Sequence, residues 1–288
     1  MLSPSLSVLF GAATENGTWL AGGAHRGVWK DDHIRYLGAL ARASLNLSFY
    51  GADGGEVNGD DGLDFNGDGW YLLQELMFRI PDSDFFLGGR FDYLSMYIRF
   101  DDGDPAFGLP PAQLGQNQTA GLGLLVGYDT RDNIFTPNRG ILAELEAMFH
   151  GGSWIGDFTY QKYRAAALFY CDPHPKWVLV WRLDGRFVNG DPPFYALPFI
   201  DLRGIPAMRY QGEDVLVTEV EARWNFSGRW TLVGFTGVGA AEDSLDDLIG
   251  SGDRDLRHTY GAGARYLIAR RLGMHTEASH RFERGTDP

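Results

Sequence analysis

The chain has 288 residues, of which 44% are hydrophobic and 14% aromatic, with 39 glycines and a net charge of −13. That acidic balance disfavours a nucleic-acid partner, because gripping phosphates needs a basic surface, and one cysteine, Cys171, excludes an internal disulfide. No apolar run reaches the roughly 18 residues a membrane helix requires, while the many aromatic residues and glycines suit strands and turns.

Alternation and turn residues predict thirteen strands, near 5–13, 18–29, 34–49, 69–80, 85–100, 119–130, 140–150, 157–171, 176–189, 213–226, 229–240, 257–269 and 272–284. Most are about 10–16 residues long, beyond the usual globular strand and enough to cross a bilayer at a tilt. Helical periodicity is weak, and only Ser244–Ile249 is expected to form a short helical turn. The start, Met1–Ala13, has neither a basic region nor a clear cleavage site and is not read as a signal peptide.

Loop lengths organise these strands. Long connections are expected at 51–68, 101–118, 190–212 and 242–257, and all four occupy odd positions in the order of connections. Even positions hold short or medium ones, such as 30–33, 81–84 and 227–228. In a meander, all long loops then leave from one end and short turns from the other. An outer-membrane barrel has this arrangement, with the short turns periplasmic.

The faces follow. Along 215–226, Leu216, Thr218, Val220, Ala222, Trp224 and Phe226 share one side, opposite Glu219, Glu221 and Arg223. Trp177, Leu179, Trp181, Leu183 and Phe187 oppose Arg182, Asp184 and Arg186, and residues 273–283 alternate in the same way. Alternation fits two settings, a lipid face against a polar lumen or a core face against water. Segregated loop lengths favour the first. Tyr128, Trp177, Trp181, Trp224, Tyr260 and Tyr266 are candidates for interfacial girdles.

The expectation is an all-β chain, a transmembrane antiparallel up-and-down β-barrel forming a single domain over 1–288. Closure of an antiparallel barrel needs an even strand number. Thirteen visible strands therefore imply 14–16 in an intact parent, and a sequence truncated at one or both ends.

Two segments carry a family resemblance. Leu202-Arg203-Gly204-Ile205, followed by Arg209, Tyr210 and Gly212, resembles the lumen-loop motif of the BamA/TamA-like outer-membrane barrels, the bacterial surface antigen family. Gly127–Gly140, with Tyr128, Asp129, Arg131, Asp132, Pro137 and Gly140, is similar to that family's periplasmic turn motif. The resemblance implies an integral protein of the bacterial outer membrane, surrounded by its lipid. It further implies insertion or transport of protein or lipid, client outer-membrane proteins as partners, and the 190–212 loop folded into the lumen. Gly237 stands where the family places an aspartate that holds the loop arginine, so Glu219 and Glu221 are the expected partners of Arg203. The 288 residues leave no room for the family's POTRA domains, which recruit substrates. The residues themselves leave two other functions open: a passive or gated pore, and a soluble β-sheet module that binds Ca2+ or a partner.

Asp64, Asn66, Asp68 and Glu75 match the spacing of a calcium loop, with Asp60 and Asp61 nearby. Such a loop needs flanking helices, whereas this segment runs into a strand, so Ca2+ on an acidic loop is the only cofactor the sequence suggests. No nucleophile elbow or H-E-x-x-H pattern is present, and no enzyme is expected. A closed membrane barrel is expected to stay folded only in detergent and to migrate differently on a gel before and after boiling. A monodisperse folded protein in plain buffer would overturn the lipid-facing assignment.

Overall fold

Period-two alternation carries most of the described residues into one sheet. The computed structural model describes residues 5–49, 63–100, 115–152, 156–244, 246, 248, 256–269 and 274–285. Within them run β1 (Leu6–Ala13), β2 (Trp19–Trp29), β3 (Ile34–Phe49), β4 (Leu63–Arg79), β5 (Phe85–Phe100), β6 (Gly115–Asp129) and β7 (Gly140–His150). The meander continues through β8 (Tyr160–His174), β9 (Trp177–Gly190), β10 (Asp214–Asn225), β11 (Trp230–Glu242), β12 (Arg257–Ala269) and β13 (Met274–Gly285). Each strand pairs antiparallel with its neighbours in sequence order, so all thirteen form a single sheet. Among the described residues no ladder joins β13 to β1.

Two strands start earlier than their composition suggests. β4 begins at Leu63 and β6 at Gly115, because the Asn-, Asp- and Gln-rich stretches before their apolar cores are held by ladders. Asn66 faces Asn46 on one side and Arg99 on the other, and Gln116 faces Tyr97. At Ser244–Ile249 the described residues Asp246 and Leu248 are helical, and the Leu248 amide donates to the Ser244 carbonyl at 3.0 Å. The side-chain faces expected for 274–283, and Asp60 and Asp61, fall outside what is described.

Register places side chains strictly. On the outer face lie Trp29, Phe78, Leu87, Leu124, Leu145, Trp181, Val220 and Leu232, all exposed. On the inner face, Val178, Val180, Val215, Val217 and Val233 are buried beside charged groups. The six girdle candidates all fall on the outer face. Tyr128, Trp177, Trp224 and Tyr266 lie near the short-turn end, while Trp181 and Tyr260 sit further along their strands. Trp19 and Trp29, ten residues apart on β2, mark the two edges of this band. At about 3.3 Å per residue and a tilt near 40°, their separation is about 25 Å, the height of a barrel's apolar belt.

Inside, the long connection between β9 and β10 supplies the core. Phe194 and Met208 pack on Phe65, Met96 and Ile98 of β4 and β5. Ala196 packs on Tyr160 and Val188, and Ile200 and Leu202 pack on Val215 and Val217. The connection thus touches both walls of the sheet. Phe194, Ile200, Leu202 and Met208 each stabilise the seat by about 1.5–3 kcal/mol.

Leu124, halfway along β6 and 65% exposed, tests which solvent bathes the outer face. Leu124→Arg is expected to cost about 2–4 kcal/mol in lipid, by reversible urea unfolding in vesicles. A change within about 0.5 kcal/mol would place that face in water.

Candidate functional site: a clamped loop inside the barrel

The loop between Gly190 and Asp214 descends from the long-loop end and doubles back as a small hairpin. Phe199 bridges Gln211, the Ile200 amide donates to the Tyr210 carbonyl at 3.0 Å, and the Gly212 amide donates to Pro198 at 3.2 Å. The Gln211 side chain donates to the Phe194 carbonyl at 2.9 Å and ties the hairpin to a single 3-10 turn, Phe194–Ala196. At the tip, Gly204 has φ +109°, a left-handed conformation that a side chain resists. This turn aims Arg203 at the wall.

Arg203 donates from Nε and Nη2 to both carboxylate oxygens of Glu219, at 3.0 and 2.7 Å. Its Nη1 donates to Glu221 at 2.6 Å. The guanidinium also lies 3.7 Å from the centroid of the Phe235 ring. Planar, fixed-charge and five-donor, an arginine suits this double fork better than a lysine. Glu221 is 5% exposed and accepts two further guanidiniums, Arg223 at 2.5 Å and Arg265 at 2.9 Å. Because Glu221 stands three residues from Trp224 of the short-turn girdle, the loop reaches deep into the barrel.

Gly237 and Gly239 make room for the descent. A Cβ on Gly237 would come within 2.7 Å of Leu202, and one on Gly239 within 2.6 Å of Ile200. The strand that lacks the expected aspartate is therefore the one against which the loop leans. Arg209 lies over Tyr210 at 5.4 Å and Arg257 covers the same ring at 4.2 Å, while Ile205 packs beside Ile200 and Leu202.

A second clasp was not singled out from sequence. Asp201 accepts from Arg182 at 3.0 Å and from Arg186 at 2.8 Å, and Arg182 also donates to the Asp201 carbonyl. Both arginines, with Arg164, converge on Asp184 beneath. The alternation Arg182, Asp184, Arg186 was visible as a charged face, but nothing local said which loop residue it would hold.

The turn motif forms its own cluster. Asp129 accepts from Arg131 at 2.8 and 2.9 Å and from Arg35 of β3 at 2.7 Å. Arg35 and Arg79 share Asp32, and both stack on Phe86 at 3.8 and 4.4 Å. Asp132 caps the turn by accepting from the Asn138 and Arg139 amides. The Tyr128 ring meets Phe85 in a tilted contact, with centroids 4.8 Å apart. Gly140, at φ +105°, leaves only 2.4 Å between its Cβ position and the Thr130 carbonyl. The Pro137 carbonyl accepts from Arg223 at 3.3 Å. One chain of contacts, Arg203 to Glu221 to Arg223 to Pro137, thus links the loop tip to the turn.

The calcium-loop residues do not converge. Asp64, Asn66, Asp68 and Glu75 all lie on β4. The first three alternate along the outer face, whereas Glu75 points inward and accepts from Arg90 at 2.6 Å. Odd and even positions of one strand cannot surround one ion. No group of three or more acidic, His or Cys side chains forms a metal cage among the described residues.

The family model of the Omp85 superfamily domain matches residues 65–201. The matched stretch takes in the Asp129–Gly140 turn and stops two residues before Arg203. The chain is similar to a crystal structure of BamA from Haemophilus ducreyi lacking POTRA domains 1–3, with a TM-score of 0.60 at 11% identity. That superposition covers 99% of this chain and 66% of that one, so the chain spans just under two thirds of its length. At this identity the likeness is one of fold. A structure titled CymD monoaromatic hydrocarbon channel matches with a TM-score of 0.46 and 8% identity, over 99% of this chain and 85% of that chain. No curated protein matches the sequence.

Asp201 gives the clamped loop a pH signature. Burial raises its carboxyl, but the Arg186 and Arg182 guanidiniums outweigh that and hold it below the ordinary carboxylate value. A depressed folded pKa contributes stability above the unfolded value of about 3.9 and loses it as pH falls through the folded one. A nitroxide on Ala207→Cys, in a Cys171→Ser background, is expected to keep its mobility from pH 8 to about 5 and to loosen below about 4. Asp201→Asn is expected to loosen it at every pH; if that variant matches the parent at neutral pH, the second clasp is not what holds the loop.

Proposed function

We propose that this chain is the membrane-embedded barrel of an Omp85-type protein of the bacterial outer membrane, serving insertion or transport of protein or lipid. In this reading the 190–212 loop plugs and braces the lumen, and the surrounding lipid and client outer-membrane proteins are its partners. The observation that carries it is the Arg203 clamp on Glu219 and Glu221, because it fastens a long loop deep in the lumen. Apolar contacts with both walls add to it. Without such an insert, a barrel of this size encloses a water-filled hole.

Arg203→Ala is the test. Removing one partner of a buried ion pair costs about 3–5 kcal/mol and leaves a carboxylate uncompensated. Glu219 is that carboxylate, since Glu221 keeps Arg223 and Arg265. The variant is expected to fold with its heat-shifted gel band, to conduct ions several-fold better in planar bilayers, and to be cleaved by protease within 190–212. Unchanged conductance together with an uncut loop would sink the plug. High conductance already in the unsubstituted chain would favour an open pore instead.

A further inference from the structure

Charge on the outer face is sparse and confined. Of the arginines and lysines in the described strands β1–β12, register turns all but two into the lumen. Arg42 of β3 and Arg99 of β5 face outward. Placing a guanidinium on a lipid-facing surface is costly unless it meets headgroups. Both stand where headgroups belong. Trp19, which marks the long-loop edge of the apolar band, pairs with Ser44, and the same row continues through Asp68, Tyr97 and Gln116. Arg42 is one step below that row and Arg99 one step above it.

The ground between them is polar and aromatic. Arg42 lies 5.1 Å from the Trp70 ring and has no carboxylate partner among the described residues. Arg99, 57% exposed at its side chain, lies 5.6 Å from the Tyr97 ring and donates to Asn66 and Asp68 at 2.9 Å. Asn66 in turn donates to Ser44 at 3.2 Å and to Asn46 at 2.7 Å. Arg99 is thus braced through Nη2 at one edge of its fork, while its Nε and Nη1 meet no acceptor among the described residues. Strand geometry puts the two arginine Cα atoms about 16 Å apart, within reach of both long side chains toward one headgroup.

We propose that this face of β3–β5 binds the phosphate of an anionic lipid, with Arg42 and Arg99 as its donors and Trp70 and Tyr97 seating the glycerol and upper acyl region. The site rests on the membrane-barrel reading above and adds to it a preferred lipid at a fixed place. Guanidinium forks match phosphate oxygens bidentately, and rings at the interface favour amphipathic neighbours. Asp68 holds Arg99, and Asp64 follows on the same face. Chelator is therefore present throughout the test, so that no divalent ion bridges those carboxylates to the lipid.

The experiment titrates the full chain in detergent micelles with phosphatidylglycerol or phosphatidylcholine, each spin-labelled near the top of one acyl chain, and reads tryptophan quenching. Phosphatidylglycerol is expected to quench at about a tenfold lower mole fraction than phosphatidylcholine. In Arg42→Gln/Arg99→Gln that preference is expected to vanish while the heat-shifted band remains. Equal quenching by the two lipids in the unsubstituted chain, or a preference that survives in the double variant, would overturn the site. Inorganic phosphate that abolishes the preference at equal concentration would reassign it to free phosphate and overturn the lipid. Loss of the heat-shifted band from the unsubstituted chain would instead remove the barrel beneath both.

Discussion

Three guanidiniums meet one carboxylate at Glu221, and the interior of this barrel is arranged around that meeting. Arg203 comes from the loop, Arg223 from the same strand and Arg265 from β12. Charges inside a protein are costly to desolvate unless each is paired and hydrogen-bonded. Here the cost is offset only when the loop is down, since Glu219 loses its arginine when the loop leaves. The site thus favours one loop position over a continuum of them.

Electrostatics and packing divide the task. Arg203 and Asp201 fix where the loop sits, because a fork of hydrogen bonds tolerates little displacement. Phe194, Ile200, Leu202 and Met208 supply most of the burial, because apolar contact scales with area and not direction. The glycines at 237 and 239 reconcile the two by letting the loop backbone approach β11. Arg223 then carries the arrangement to the opposite end of the lumen through the Pro137 carbonyl.

Much of the fold was legible because barrel strands must alternate and their loops must segregate. Residues 215–226 and 177–188 announced their faces directly. The starts of β4 and β6 were hidden because Asp64, Asn66, Gly67 and Asp68 have turn composition, and only pairing with neighbouring strands makes them strand. Within the site, a residue's face was readable, which is why Glu219 and Glu221 were named beside Arg203. Contacts between distant elements were not, so Asp201 with Arg182 and Arg186 went unseen, as did Arg265. The calcium spacing carries a related point: a motif specifies distance along the chain, whereas parity on a strand decides which side chains can meet.

The heights of the strands carry a last consequence. β3, β4 and β5 have 16, 17 and 16 residues, against the 8 and 11 of β1 and β2. Crossing a bilayer takes about 9–11 tilted residues, so one side of the rim rises well above the lipid. Phe65, Met96 and Ile98, which receive Phe194 and Met208, stand at or above the upper girdle on that tall side. Arg203 and Glu221 sit low, near the opposite girdle. Hydrophobic mismatch acts on a barrel wall at the depth of the apolar belt. A thinner bilayer would therefore strain the lower anchor of the plug while leaving the upper one untouched, and membrane thickness becomes a variable to which the two ends of the same loop respond unequally.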